Sequence, residues 1–350
     1  MRGHTGKMTA TQDWPRRRLL PIGIATVLAA AIAAACSGPP QAVARSPNAA
    51  GQTIKIATWN LEWLIAPEAF RPLAQTCLPR DSTDRPHGRF IPCDVAKDFN
   101  RSREDFNALA RYARQLDADV IAFQEVDGEA AARLVFRNYN FCLTGRSAVQ
   151  NTGFAIRRGI PHRCNADVRD LSLHDVVRRG AWVTLFPDTP RELQLLSVHL
   201  KSGCARKPLS SMDRACSTLA RQVMPLETWI DARASAGQAF AVLGDFNRDL
   251  QREPAPRAAP ELAVTSLWAA IDDGEPAGAD LINAADGERF VNCSPSQAFS
   301  GYIDYIVLGE SLAQRRVAGS FERVTYSALD ATRRKLSDHC PVAIRLTMAR

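Results

Sequence analysis

The sequence lacks the ligand spacings of a zinc site and shows no internal repeat. Its nine cysteines and six histidines include no CxxC pair and no HxxxH pair, the spacings that usually hold structural zinc. Nothing beyond residue 52 resembles a second linker. We therefore predict a single large domain over residues 53–348. Small zinc-binding folds and repeat folds are excluded.

A strong positive charge is also missing once the first residues are set aside. The whole chain has a formal net charge of +7. Residues 1–35 carry five basic side chains and one acidic side chain, a net +4, so the remainder carries only +3. Because a strongly basic balance would have favoured nucleic acid as partner, charge gives that partner little support here.

The first 35 residues are organised like an export signal. Three arginines at 16–18 precede an uncharged apolar run at 19–35, which is too short for a comfortable membrane span. Small residues then lead to Cys36, which resembles a bacterial lipoprotein signal with Cys36 as the lipidated residue. An uncleaved anchor and ordinary cleavage nearby are the alternatives. Residues 36–52, rich in Ala, Pro, Ser and Gly, predict a flexible tether of an envelope-attached or secreted protein.

Eight further cysteines predict disulfide bonds, since an even number in an exported chain is typical of them. A zinc site is the competing interpretation, and the missing spacings disfavour it. Sequence alone does not fix the connectivity. Our hypothesis joins neighbours along the chain, as Cys77–Cys93, Cys142–Cys164, Cys204–Cys216 and Cys293–Cys340.

Short apolar runs alternate with helical patterns, which predicts a layered α/β fold. Residues 103–115 and 214–234 have helical spacing, and the stretch from Ile65 to Asp98 is expected to be a long loop. Several of the strand-length runs are apolar almost throughout, as strands covered on both faces are. These runs are 54–59, 120–123, 193–198, 240–243, 302–307 and 342–346.

At six places an apolar stretch ends and a polar side chain follows at once. Four of these stretches belong to the runs just given, whereas Asp304 follows residues 302–303, and Asp338 with His339 follows residues 336–337. Any one of them would ordinarily mark only the point where the chain leaves the core. All six are amide, carboxylate or imidazole groups, and catalytic groups gather at strand ends in layered α/β folds. The candidates are Asn60, Glu125, His199, Asp245 with Asn247, Asp304, and Asp338 with His339.

Six segments in order resemble the motifs of the endonuclease/exonuclease/phosphatase superfamily over nearly all of residues 53–348. The resemblance implies a four-layer α/β sandwich, with two stacked mixed β-sheets flanked by helices, and a metal-dependent phosphoric ester hydrolase. The family includes deoxyribonucleases, abasic-site endonucleases, bacterial neutral sphingomyelinases and inositol-polyphosphate phosphatases. The segments are WNLEW at 59–63, FQEV at 123–126, SVHLKS at 197–202, GDFN at 244–247, YIDYI at 302–306 and SDHCPV at 337–342.

Phosphodiester hydrolysis needs an activated water and neutralised phosphoryl charge. Glu125 is the best candidate ligand for Mg²⁺, with Mn²⁺ as the alternative, because hard cations prefer carboxylate oxygen. We expect Asn60 and Asp338 beside the same metal. Asp245 and Asn247 are two residues apart, so in an extended chain they would point the same way.

The resemblance implies that Asp245 orients or deprotonates the water and that Asn247 holds a phosphate oxygen. Asp338 and His339 are adjacent, so an extended chain would turn them to opposite sides. Asp304 and His339 resemble the family's Asp–His pair, in which the carboxylate would favour the charged imidazolium. His339 would then serve as base or as phosphate stabiliser.

His199 resembles the second histidine of deoxyribonuclease-like members, a general acid to the leaving oxygen. Those members pair it with a glutamate from an earlier hairpin, but residues 139–163 contain no Asp or Glu. Hydrogen bonding to substrate is therefore the alternative role. Arg178, preferred over Arg179, and Lys201 are candidate phosphate contacts, with an ordinary solvated charge as the alternative for each.

Three functions remain open at this point. The first is a secreted nuclease, and the second is a phosphodiesterase or phosphatase acting on lipid headgroups or small phosphate esters. The third is a non-catalytic surface binding protein, disfavoured because Glu125, Asp245, Asn247, Asp338 and His339 are all present. We expect a monomer that takes nucleic acid or another phosphodiester as substrate, with membrane attachment through Cys36.

Overall fold

A computed structural model describes residues 53–80, 88–253, 266–294, 297 and 300–348. The predicted signal peptide, Cys36 and the tether lie outside these residues and stay predictions. Among the residues described, no helix combines the length and apolar character needed to cross a membrane.

Two six-stranded mixed β-sheets form the centre of the described chain, as the family resemblance implied. The first sheet has the strand order β11-β12-β1-β2-β4-β3 and the second β5-β6-β7-β8-β10-β9. The strands are β1 Thr53–Leu64, β2 Val120–Val126, β3 Tyr139–Leu143, β4 Asn151–Arg157, β5 His162–Cys164, β6 Ala181–Leu185, β7 Leu193–His199, β8 Phe240–Asp245, β9 Leu281–Asn283, β10 Asp304–Gly309, β11 Glu322–Arg323 and β12 Val342–Thr347.

Helices flank both sheets. They are α1 Pro67–Gln75, α2 Cys93–Asp98, α3 Arg103–Leu116, α4 Glu129–Val135, α5 Arg214–Ser235, α6 Leu267–Ile271, α7 Glu310–Ala313 and α8 Ala328–Arg333. Helix α3 starts at a capping box, in which Ser102 and Asp105 exchange side-chain and backbone hydrogen bonds. Such reciprocal bonds satisfy donors that a helix start otherwise leaves unpaired.

The period of two in the strands divides the core into layers. Ile54 and Ile56 of β1 belong to the core between the sheets, whereas Ala57 and Trp59 belong to the core beneath α3 and α4. Successive side chains of a strand point to opposite faces. A strand apolar on both faces is therefore covered on both faces, which confirms the prediction of a four-layer sandwich.

Two details of the predicted elements were wrong. The stretch from Ile65 to Asp98 is not a plain loop, because it contains α1 and α2, which bury Phe70, Leu73 and Val95 in a small core of their own. Asn60 and Glu125 lie within β1 and β2 rather than after them. The ladder between these strands changes register between Asn60 and Leu64, and such a bulge aims side chains that a regular strand would not.

All four hypothesised disulfides are present. The bonds join Cys77–Cys93, Cys142–Cys164, Cys204–Cys216 and Cys293–Cys340. The competing zinc interpretation is thereby disfavoured, because the eight thiols are used in pairs. Four disulfides are typical of proteins in an oxidising, extracellular environment.

The double replacement Cys293→Ser with Cys340→Ser should lower the free energy of unfolding by about 4 kcal/mol. The replacement Cys204→Ser with Cys216→Ser should cost about 3 kcal/mol, because it opens a shorter loop. The bonds close 47 and 12 residues, and all four sulfur-bearing residues are buried. Urea unfolding followed by tryptophan fluorescence measures both costs. An equal or larger cost for the shorter loop would contradict the loop-entropy account.

Candidate active site

Strand register brings three predicted residues side by side in the second sheet. His199 at the end of β7 lies opposite Asp245 at the end of β8 in a parallel ladder. Asp304 at the start of β10 lies opposite the same Asp245 in an antiparallel ladder. Adjacent strands are about 4.8 Å apart. The sheet therefore presents one imidazole and two carboxylates along a single edge.

Gly244 permits the close approach of β7 and β8 at this edge. Its φ is +153°, and a Cβ placed on it would lie 2.0 Å from the carbonyl oxygen of Val198. Any side chain here would push the strands apart, directly before Asp245. The glycine of the GDFN segment is thus a packing requirement of the site.

The carboxylate of Asp245 is the centre of the site. Its Oδ2 accepts hydrogen bonds from Nδ2 of Asn60 and Nδ2 of Asn247, both at 3.0 Å. His199 Nε2 lies 3.4 Å and His339 Nε2 lies 3.8 Å from the same oxygen. Burial raises the pKa of Asp245, and Asp304 adds to the rise while the His339 imidazolium opposes it.

Asp304 and His339 form the pair expected from the sequence. Oδ2 of Asp304 lies 2.7 Å from Nδ1 of the buried His339. Burial alone would lower the pKa of His339, but Asp304, Asp338 and Asp245 outweigh it and raise the pKa well above its usual range. His339 is therefore a cation aimed at the site, with its ring orientation fixed by Asp304.

His199 differs electrostatically from His339. Burial lowers its pKa well below the usual range, and the nearby cations, of which Arg178 comes first, lower it further. Its Nε2 faces Asp245 and, at 3.7 Å, Glu125. Its buried Nδ1 has no hydrogen-bond partner among the described residues. The hairpin carboxylate that deoxyribonuclease-like members pair with this histidine is therefore missing here, and Nδ1 of His199 is left without a partner among the described residues.

A second set of oxygen donors lies on the first sheet. Oε2 of Glu125 accepts from the backbone N–H of Trp63 at 3.1 Å, and Oε1 lies 3.4 Å from Nδ2 of Asn60. Glu125 and Glu62 have φ values of +61° and +43°, a region that non-glycine residues rarely adopt outside functional sites. The backbone is therefore bent to aim these carboxylates at the site edge.

Glu62 and Asp338 approach each other beside this set. The backbone N–H of Asp338 donates to Oε2 of Glu62 at 2.8 Å. Burial, and then the charge of Asp338, raise the pKa of Glu62 to about 8. Carboxylates that repel each other fit a hard divalent cation, which removes the repulsion. These residues thus offer oxygen donors of the kind that Mg²⁺ binds, in two contacting pairs, Asn60 with Glu125 and Glu62 with Asp338.

A tighter group of possible metal ligands lies across the site. Ligand atoms of Asp245, Asp304 and His339 all lie within 4.8 Å of one another. This group includes an imidazole nitrogen, whereas Mg²⁺ is held in proteins mainly by oxygen ligands. The oxygen donors on the first sheet therefore remain the better fit for Mg²⁺.

Two expectations based on an extended chain were wrong in their reasoning. Asn247 lies beyond β8 with a φ of +53°, and it reaches Asp245 because the chain turns back. Asp338 and His339 precede β12 in a loop, so they do not alternate across a strand; Oδ1 of Asp338 lies 3.7 Å from Nε2 of His339. Asp338 is exposed and His339 is buried. Local turns, rather than strand alternation, place both pairs.

The two arginines in sequence have separate surroundings. Arg179 is held by Asp175 at 2.7 Å and by Asp167 at 3.1 Å. Arg178 makes no ion pair within 4 Å to a described carboxylate, and its Nη2 donates to the carbonyl of Leu200 at 3.1 Å. The same carbonyl accepts from Nδ2 of Asn247 at 3.2 Å. Arg178 is thus the arginine adjoining the site, and Lys201 follows the same carbonyl in sequence.

Sequence reasoning missed two residues of the site. Glu62 stands within the WNLEW segment, where a carboxylate two residues after Asn60 was the available signal. Gln150 donates to Oε2 of Glu125 at 2.5 Å, and nothing in its sequence context distinguishes it. The hairpin that lacks Asp and Glu therefore contributes an amide, which contacts Glu125 rather than His199.

The chain belongs to the Endonuclease/Exonuclease/phosphatase family, whose sequence model matches residues 57–339. Members of this family hydrolyse phosphoric esters, and they generally use divalent metal ions. A comparison with curated proteins found no match.

Solved structures support the fold. An endonuclease/exonuclease/phosphatase from Bacteroides vulgatus has a TM-score of 0.50 at 13% identity, covering 85% of this chain and 100% of that one. TDP2 from Caenorhabditis elegans has a TM-score of 0.50 at 11% identity, covering 85% and 74%. An AP endonuclease from Archaeoglobus fulgidus has a TM-score of 0.47 at 12% identity, covering 83% and 98%. At such identities the first two likenesses concern the fold alone.

Mg²⁺ should stabilise the folded protein, because it binds the native donor set and not the unfolded chain. At about 100 times its Kd the gain is about 2.7 kcal/mol, which corresponds to a rise in Tm of about 5 °C. Glu62→Gln and Glu125→Gln should each abolish most of this shift. The exposed Glu310, at the far end of β10 from Asp304, gives the control Glu310→Gln. Differential scanning fluorimetry with and without Mg²⁺ measures the shift, and an undiminished shift in both site variants would remove this donor set.

Proposed function

We propose that the chain is an exported, metal-dependent phosphodiesterase that hydrolyses nucleic-acid phosphodiester bonds as an endonuclease. The observation that carries the proposal is geometric: His199, His339 and Asn247 all approach the carboxylate of Asp245 at one edge, beside further carboxylate and amide oxygens. The pKa of His199 is lowered and that of His339 is raised, which suits them to different roles. Four disulfides and the signal-like N-terminus support export, and the Cys36 motif supports a lipid attachment.

In the proposed reaction, Asp245 positions the attacking water. Its pKa is raised by burial, so it can take up a proton from that water more readily than an exposed carboxylate can. Asn247 holds a phosphoryl oxygen, with its amide set by contacts to Asp245 and Leu200. Bound Mg²⁺ would neutralise charge on the phosphoryl group.

The two histidines have different roles in the proposed reaction. His339, kept cationic by Asp304, stabilises the charge that builds on the phosphoryl oxygens in the transition state. The pKa of His199 is lowered by burial and by nearby cations, which supports its role as an N–H donor to the substrate over that of a proton source. Arrival of an anionic phosphodiester raises the proton affinity of His199, so the leaving oxygen is the natural partner of its Nε2.

The competing substrate is a lipid headgroup or a small phosphate ester. A lipid attachment at Cys36 would place the protein at a membrane, which favours this candidate. The same catalytic edge would act on either substrate, because the chemistry at the phosphorus is shared.

His339→Ala should reduce Mg²⁺-dependent nicking of supercoiled plasmid by about 100-fold or more, because it removes the transition-state cation. Asp304→Asn should cost nearly as much, since it removes the group that orients and charges His339. The exposed His174 takes no part in the contact between Asp304 and His339, so His174→Ala is the matched control. Agarose gels with and without chelator measure the nicking.

Retention of most of the nicking by His339→Ala would remove that histidine from the mechanism. No nicking by folded wild-type protein would defeat the nuclease proposal. Release of phosphocholine from sphingomyelin vesicles by the same protein would then establish the lipid candidate.

A further inference from the structure

A pocket of about 650 Å³ opens directly beside the catalytic edge. Its lining includes Trp63, Phe90 and Pro92 together with the basic side chains of Arg146, Arg178 and Lys201. Phe90 and Pro92 belong to the segment that the Cys77–Cys93 disulfide fixes, and the basic residues come from the loops before β4, before β6 and after β7. The pocket is therefore built from parts of the chain far apart in sequence.

The pocket is continuous with the reaction site through three shared contacts. Trp63 and Gln150, which line it, both donate hydrogen bonds to Oε2 of Glu125. Arg178 donates to the carbonyl of Leu200, which also accepts from Asn247. A molecule whose phosphorus lies between Asn247 and Glu125 would thus extend into this pocket.

Its basic side chains are oriented without being neutralised. Arg146 donates to the backbone carbonyl of Asp175 at 3.1 Å, and Lys201 donates to that of Ser202 at 2.7 Å. Like Arg178, they form no ion pair within 4 Å to a carboxylate among the described residues. The Asp175 carboxylate, which lines the pocket, is held by Arg179 at 2.7 Å. Arg80 at the rim pairs with Asp94.

Two further observations indicate that an anion is the missing partner. The buried Nε of Arg178 has no hydrogen-bond partner in the described part of the chain, and an unpaired buried donor is costly. The pKa of Lys201 is lowered, first by burial and then by the positive charges of Arg178 and Arg214. Mutual repulsion of this kind is relieved when an anion binds between the cations.

We propose that this pocket binds a second anionic group of the substrate, the phosphate that neighbours the scissile phosphodiester along a nucleic-acid strand. Arg146, Arg178 and Lys201 contact that phosphate, and Trp63 with Phe90 provides an aromatic surface for the base or sugar between the two phosphates. The inference rests on the proposed function and narrows it. A choline headgroup carries a positive charge, and the three basic side chains of this pocket would repel it. Choline lipids are therefore disfavoured as substrates.

The test measures the affinity of wild-type protein for three dinucleotides by isothermal titration calorimetry. TpT has one phosphodiester and no second anion, whereas pTpT and TpTp add a terminal phosphate at one end or the other. Chelator is present so that no turnover occurs. We expect one added phosphate to lower the Kd by about 10-fold or more, the effect of a charge-assisted contact.

Substitutions locate that preference. The quantity compared is the Kd for TpT divided by the Kd for the tighter-binding of pTpT and TpTp. In Arg146→Gln this ratio should fall to about 2, and Arg146→Lys should restore part of it because the charge remains. The exposed Arg158 follows β4 at the end of the sheet remote from Glu125. Arg158→Gln should therefore keep the full ratio, as a control for net charge.

The outcomes separate this inference from the proposed function. Plasmid nicking with equal Kd values for the three dinucleotides would overturn the second anion site and leave the nuclease intact. A preference that survives in Arg146→Gln would overturn the location of the site. Absence of plasmid nicking by folded protein would overturn the proposed function, and this inference with it.

Discussion

Two polar contacts across an apolar sandwich hold the catalytic residues together. Asn60 on the first sheet donates to Asp245 on the second, and His339, just before the last strand of the first sheet, bonds Asp304 on the second. Each sheet alone carries half of the site. Burying carboxylates at this junction is costly, as the raised pKa of Asp245 reflects. The donor pattern around these carboxylates offsets part of that cost and fixes how the two sheets align at the edge.

The disulfides reinforce the parts of this arrangement that the sheets do not reach. Cys340 follows His339 directly, and its bond to Cys293 fixes the loop that carries the histidine. The Cys77–Cys93 bond fixes the segment that carries Phe90 and Pro92 of the pocket. Cys204–Cys216 joins the segment after β7 to the start of α5. The disulfides therefore restrict loops whose conformational entropy would otherwise leave the side-chain positions poorly defined.

Periodicity and motif order were sufficient to predict the layers and most of the site. Strand-length apolar runs located His199 and Asp245, because a strand end is visible as the point where apolar residues stop. Asp304 instead begins β10, directly after the apolar pair at 302–303. The sequence did not predict Glu62 and Gln150 as site residues, because their positions follow from tertiary geometry. Glu62 depends on a backbone turn of positive φ within β1, and Gln150 depends on how the β3–β4 hairpin lies against β2. Alternation rules failed for Asn247 and Asp338 for the same reason, since both lie in turns.

The first and last strands of the described chain are partners in one antiparallel ladder, with Thr53 opposite Thr347. Both ends consequently leave the sheet at the same margin. Asn60 lies seven residues further along β1, which corresponds to about 23 Å of extended strand. The two ends of the described chain therefore lie at the margin of the sheet remote from the catalytic residues. A substitution at either end of this ladder is consequently far from the catalytic edge.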